Sequence, residues 1–166
     1  MRVRINYIAL VLALYLTMFT QISVADEPRI LAVVVSSNID VSATKAISAN
    51  ELKLIYWRKK LYWSGGVRMH PVNLYAEHAI RQMFSKAVLG GLPMTQTDYW
   101  NGLYYHGVSP PHSVQSEEAV LRYVAETKGS IGYVDACNVD GRVKAVAWII
   151  NDQISMDEPT TKHCGD

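Results

Sequence analysis

Val67–Leu89, VRMHPVNLYAEHAIRQMFSKAVL, is the stretch that decides how this chain is read. Val67, Met69, Pro71 and Val72 make an extended apolar segment, and Ala79, Ile80, Met83, Phe84, Ala87 and Val88 recur at helical spacing. The stretch therefore reads as strand, short turn, amphipathic helix. The first N–H groups of such a helix lack intrahelical partners and point at whatever sits above the strand's end, which is a ready place for an anion.

Working outward, the neighbouring segments repeat the alternation. Upstream, Ile30–Val35 is a continuous β-branched run suited to a strand buried on both faces, ended by the turn residues Ser36, Ser37 and Asn38. Ser48 with Glu51 three residues on has the pattern of a capping box, opening a short helix with Leu52, Leu54, Ile55 and Tyr56. Downstream, Gly90 and Gly91 stop the central helix and Pro93 prevents its return. Thr95 or Thr97 is positioned to cap a helix whose Tyr99, Trp100, Leu103 and Tyr104 share a face, closed by Gly107 and Pro110-Pro111. Ser116 caps another, with Glu117 and Glu118 where the helix dipole favours acid. Strands are expected at 130–134 and 143–150, and the tail from Asn151 reads as polar and loose apart from Cys164. Strands alternating with helices predict an α/β domain, a mixed or parallel sheet of about four strands flanked by helices.

The first 25 residues read differently. Arg2 and Arg4 precede an apolar core from Tyr7 to Phe19, and Ser23-Val24-Ala25 places small residues where a signal peptidase reads them. Residues 1–25 are thus expected to be a cleaved secretory signal and 26–166 the mature domain. Removing the signal takes two of the 16 basic residues and none of the 15 acidic ones, so the net charge falls from +1 to −1. A near-neutral chain lacks the basic face a nucleic-acid partner requires. Once the signal is gone, no stable membrane insertion is expected. The two cysteines, Cys137 and Cys164, would then sit in an oxidising compartment. Paired, they tie the tail to the end of a late strand; unpaired, they are two free thiols.

Chemistry-bearing residues are sparse. His70, His78, His106, His112 and His163 are scattered without zinc-ligand spacing, so no metal or other cofactor is expected. There is no Gly-x-Ser-x-Gly elbow, and Ser113 beside His112 has no spacing that assembles a triad, so catalysis is not expected either. Tyr56, Trp57, Tyr62, Trp63, Tyr99, Trp100, Tyr104 and Tyr105 read as core and near-surface packing, with a sugar or partner platform as the alternative. Arg58-Lys59-Lys60 reads as a solvated loop face able to attract an acidic partner.

The order of motifs resembles the periplasmic phosphate-binding proteins of ABC transporters, within the type II periplasmic-binding-protein fold, and specifically a short single-lobe member. The resemblance is carried by Leu31–Val35 with Asn38, Ile47–Leu52 leading to Ile55-Tyr56-Trp57, and Trp63-Ser64-Gly65-Gly66. It continues through Pro71-Val72-Asn73, Arg81 with Phe84, Tyr99-Trp100, Pro110-Pro111, Gly129–Val134 and Val143–Val146. It implies a non-catalytic periplasmic protein that binds a small anion, phosphate first, and works with a membrane transporter or another periplasmic protein. The chain departs from the family at its anion grip, an Arg-Asp-x-x-Ser-Gly-Thr-like turn whose places hold Leu74, Tyr75, His78, Ala79 and Ile80. The residues left to contact a ligand are Asn73, Tyr75 and His78 on the turn, Arg81 one helical turn on, and, if the strands are parallel, Ser36, Ser37 and Asn38. Weak binding of phosphate or another small anion is the expectation; a periplasmic interaction module that has lost ligand binding is the alternative.

Overall fold

The computed structural model describes residues 29–38, 47–162 and 164. The signal read at residues 1–25 and His163 lie outside them.

Strand β1 (Leu31–Ser36) is buried along its whole length, as its β-branched run requires. Helix α1 (Ala49–Tyr56) opens on the capping box read from the sequence: the Glu51 N–H donates to Ser48 Oγ, and the Ser48 N–H donates back to the Glu51 carboxylate. Strand β2 (His70–Leu74) begins three residues later than expected, because the 61–69 segment folds back on itself instead, with Tyr62 and Arg68 bridged. Helix α2 (Ala79–Phe84) widens into a π turn at Ser85–Leu89 before Gly90, with φ +80, ends it in the left-handed conformation.

Pro93 opens a 3-10 turn, Pro93–Gln96, and helix α3 (Thr97–Tyr104) follows. Neither threonine caps α3. The Thr95 and Thr97 hydroxyls donate backward to Leu92 O and Met94 O, and Gln96 at the cap makes no side-chain bond there. Strand β3 (His112–Val114) precedes helix α4 (Glu117–Glu126), whose Ser116 cap accepts from the Ala119 N–H. Strands β4 (Ser130–Asp135), β5 (Val143–Ile150) and β6 (Gln153–Ser155) complete the chain.

The described residues form one six-stranded sheet, in the order β3-β2-β4-β1-β5-β6, rather than one of about four strands. The two additions are three-residue edge strands. β3 pairs parallel to β2 from Val72↔His112 to Leu74↔Val114. β6 follows a two-residue turn in which Asn151 and Asp152 have φ +50 and +61, the type I′ geometry that closes a hairpin. The tail is therefore part of the sheet. β2, β3 and β4 are parallel, whereas β1 runs antiparallel to both of its neighbours, β4 and β5. The core lies between the sheet and its helices, with Tyr56, Tyr133, Phe84, Leu52 and Met69 among its largest buried side chains.

Two covalent or steric constraints fix this arrangement. Cys137 and Cys164 are joined, closing a sequence separation of 27 that includes β5 and β6. Gly129 has φ +82, and a Cβ there would stand 2.2 Å from the Arg68 carbonyl oxygen. Its own carbonyl accepts from Trp63 Nε1 at 2.9 Å and from the His70 N–H at 3.2 Å, which locks the start of β4 against the start of β2.

Replacing Cys137 and Cys164 by serine should destabilise the fold by about 3 kcal/mol in the chain-entropy model, read as a drop of about 10 °C in the thermal midpoint. Gly129→Ala should cost about 2 kcal/mol or more, because the left-handed backbone and the clash with Arg68 must both be relieved; urea unfolding gives the figure.

Candidate functional site

Pro71 sets the geometry near the start of the central strand. It has no N–H to donate, and the direct pairing of β2 with β4 covers only His70↔Ser130 and Pro71↔Ile131. Beyond that point side-chain hydroxyls join the two strands. The Tyr56 hydroxyl lies within hydrogen-bond reach of two carbonyls, Val72 O at 3.2 Å and Ile131 O at 3.3 Å. The Leu74 N–H donates to the Tyr133 hydroxyl at 3.3 Å, and that hydroxyl donates to Asn73 Oδ1 at 3.1 Å. Arg81 Nη1, reaching back from the first turn of α2, donates to the same amide oxygen.

Aromatic packing holds the hydroxyls in place. The Phe84 ring stacks on Tyr133 with centroids 3.8 Å apart and planes 5° apart, and Tyr56 tilts against Phe84 at 4.5 Å. Burial pushes the Tyr56 phenol well above its ordinary value, and the Tyr133 phenol is raised for the same reason, opposed by Arg81. Both therefore remain neutral donors at physiological pH.

Arg81 is the unusual member. It is buried, 7% exposed, and its bonded partner is a neutral amide. Among the described residues no carboxylate pairs with it. A guanidinium out of water normally finds an anion, and its forked donors exceed what Asn73 and Tyr133 can accept.

The other residues read from the sequence fall into two groups. Tyr75 and His78 are with Arg81 at the head of β2. The Tyr75 N–H donates to Val114 O on β3, and its ring meets the His78 imidazole edge-on at 5.3 Å. His78 is the helix cap: its Nδ1 accepts from the Ile80 N–H at 3.2 Å. One of the N–H groups expected to face an anion is thus already taken by the protein. Leu74 and Ile80, each 1% exposed, point into the core rather than over the turn.

Ser36, Ser37 and Asn38 do not join this group. β1 is antiparallel to β4, so its C-terminal end lies beside the start of β4, level with the start of β2. The register sets Ser36 four residues, about 13 Å of strand, below Leu74. The Asn38 N–H donates to Ser36 Oγ, and the Ser37 N–H donates to Arg142 O. A small anion cannot touch both groups at once.

The sequence reading missed Tyr133 and Tyr56 as parts of the site. A signal was available: each is a tyrosine in an otherwise apolar run, and a buried phenol needs a hydrogen-bond partner. Among the described residues no group of three or more His, Cys, Asp or Glu is placed to hold a metal ion, and no helix is long and apolar enough to cross a membrane.

No protein-family model matches the chain, and no curated protein matches it by sequence. Solved structures do match. The chain is similar to an ABC-type phosphate transport receptor from Vibrio cholerae, with 17% identity and a TM-score of 0.52 over 70% of this chain and 46% of that one. It is also similar to a candidate phosphate ABC transporter substrate-binding protein from Clostridium perfringens with phosphate bound, with 19% identity and a TM-score of 0.56 over 71% and 44%. The chain shares the α/β fold of part of these neighbours. The chain spans less than half the length of either neighbour.

The buried phenols give the site an alkaline signature. Their raised folded-state values mean that the folded protein holds these protons more tightly than the unfolded chain. The associated stability is full below the ordinary tyrosine value of about 10 and is lost as pH rises above it. A tyrosinate absorbance titration should therefore show Tyr56 and Tyr133 ionising only together with alkaline unfolding, and Tyr133→Phe should remove one of the two late-titrating groups.

Proposed function

We propose that this is an exported, non-catalytic binding domain that takes a small oxyanion weakly at the head of β2. Phosphate is the first candidate, because the similar Vibrio cholerae protein is described as a phosphate transport receptor and the Clostridium perfringens one has phosphate bound. Residues 1–25 serve as the export signal in this reading, and residues 26–166 act in the periplasm. The observation that carries it is Arg81, a buried guanidinium bonded to neutral groups, with no carboxylate partner among the described residues. An anion at the Asn73–Arg81 turn would accept the guanidinium's remaining donors and supply the missing charge. Tyr75 and His78 stand at the same turn and would border it. Binding is weak because the grip turn is replaced at Leu74, Tyr75, His78, Ala79 and Ile80, which removes charge-assisted donors. A membrane transporter or another periplasmic protein would cover the site when the complex forms.

A second reading has its own support. Leu74 and Ile80 are core residues, and His78 has closed the helix start, so the turn is equally consistent with an interaction module that no longer binds a ligand.

Thermal unfolding of the exported protein with phosphate, sulfate and a neutral osmolyte separates the two. Phosphate at ten times its dissociation constant should add about 1.4 kcal/mol, a rise of several degrees in the midpoint. Arg81→Lys, which keeps the charge but loses the fork, should reduce that rise. Identical midpoints in every anion would overturn ligand binding and leave the interaction module.

A further inference from the structure

Helix α3 and the loop after α1 form a second surface that the anion site does not use. No residue of α3 is buried, and Tyr104 and Tyr105 are 70% and 87% exposed. The helix is held at one end only. Tyr99 meets Trp57 edge-on at 4.4 Å and its hydroxyl donates to Trp57 O at 2.8 Å, while Trp100 stacks on Trp57 at 5.8 Å. Trp100 and Tyr104 are four residues apart and so share a helix face, and the Tyr105 ring contacts that of Tyr104. An eight-residue helix is not stable alone in water, and the two outward tyrosine rings at its far end mark a contact surface.

The adjoining loop is basic and strained. Lys59 Nζ lies 5.9 Å over the Tyr99 ring. Arg58 has φ +58, a left-handed backbone that an arginine adopts only at a cost; its Nη1 donates to Met69 O at 3.4 Å and its buried Nε has no partner. Burial, and next the like charge of Arg68, pull its guanidinium below the ordinary arginine value. Among the described residues none of Arg58, Lys59 and Arg68 has a carboxylate partner. Arg58 is turned inward to Met69 O, whereas Lys59 and Arg68 are exposed, and negative charge opposite these two would offset the repulsion between Arg58 and Arg68.

We propose that Lys59 and Arg68, together with Tyr104 and Tyr105, form a docking surface for an anionic phospholipid membrane. Cations on this face meet the negative headgroups, and tyrosine rings settle at headgroup depth, with their apolar bodies inward and polar tips wet. Rings projecting with most of their area in solvent offer no walls to grip a peptide side chain, and a fluid headgroup layer needs none. This surface is independent of the anion reading at Arg81.

Sedimentation of the exported protein with lipid vesicles tests it. Phosphatidylglycerol-rich vesicles should retain the protein, pure phosphatidylcholine vesicles should not, and added salt should release it. The charge-reversed pair Lys59→Glu with Arg68→Glu should bind about tenfold more weakly or worse. The exposed pair Tyr104→Ser with Tyr105→Ser should also weaken binding, while leaving the melting midpoint and any phosphate-induced rise unchanged. Equal retention on both vesicle types, retention unaffected by charge reversal, or capture by soluble polyglutamate in place of vesicles would overturn the proposal.

Discussion

A missing hydrogen-bond donor shapes the centre of this protein. Pro71 stands in a central strand, where it cannot contribute to the ladder, and direct pairing of β2 with β4 runs over only two residue pairs. The polar groups beyond it still need partners, because buried backbone donors and acceptors are costly to leave unmade. Tyr56 and Tyr133 supply them. Those two phenols in turn require Phe84 to hold their rings and Asn73 to accept from Tyr133, and Asn73 is what fixes Arg81. The candidate site is thus the outer end of a repair to the sheet. Its cation is positioned by the same bonds that keep the strands together.

The direction of β1 is the second constraint. Had it run parallel to β4, its serines would have stood beside the head of β2 and enlarged the site. Running antiparallel, it carries Ser36, Ser37 and Asn38 to the opposite rim, where they satisfy local backbone and loop partners instead. The polar set at the head of β2 is left to the turn, Arg81 and the tyrosine below it. This sparse set contrasts with the many charge-assisted donors needed to hold a desolvated phosphate tightly.

At its rims the sheet is closed by short strands rather than by helices. β3 and β6 have three residues each, a length that limits edge-to-edge pairing with other chains. The β6 side is tied further: Cys164 is bonded to Cys137, and Lys162 lies over the Trp148 ring at 4.5 Å. Helix α3, by contrast, has no buried residue and is attached through Trp57, so its outer tyrosine rings stand free of the core.

The elements that local chemistry dictates were legible in the sequence. The Ser48–Glu51 capping box, the Ser116 cap, the β-branched core of β1, the glycine stop at Gly90 and the strand–turn–helix around Val67–Leu89 all follow from propensity and short-range hydrogen bonding. So did the α/β class and the resemblance to a phosphate-binding-protein lobe, which rests on the order of those elements. The short edge strands were harder to see, since three residues carry little periodicity, although the Asn151-Asp152 pair was a usable turn signal. Only the tertiary structure decided strand direction, and with it which polar residues share a rim. Periodicity along a strand is the same whichever way its neighbour runs. Tertiary contacts alone also buried Arg81 against Asn73 and left α3 uncovered, because both outcomes depend on what lies across space rather than next in the chain.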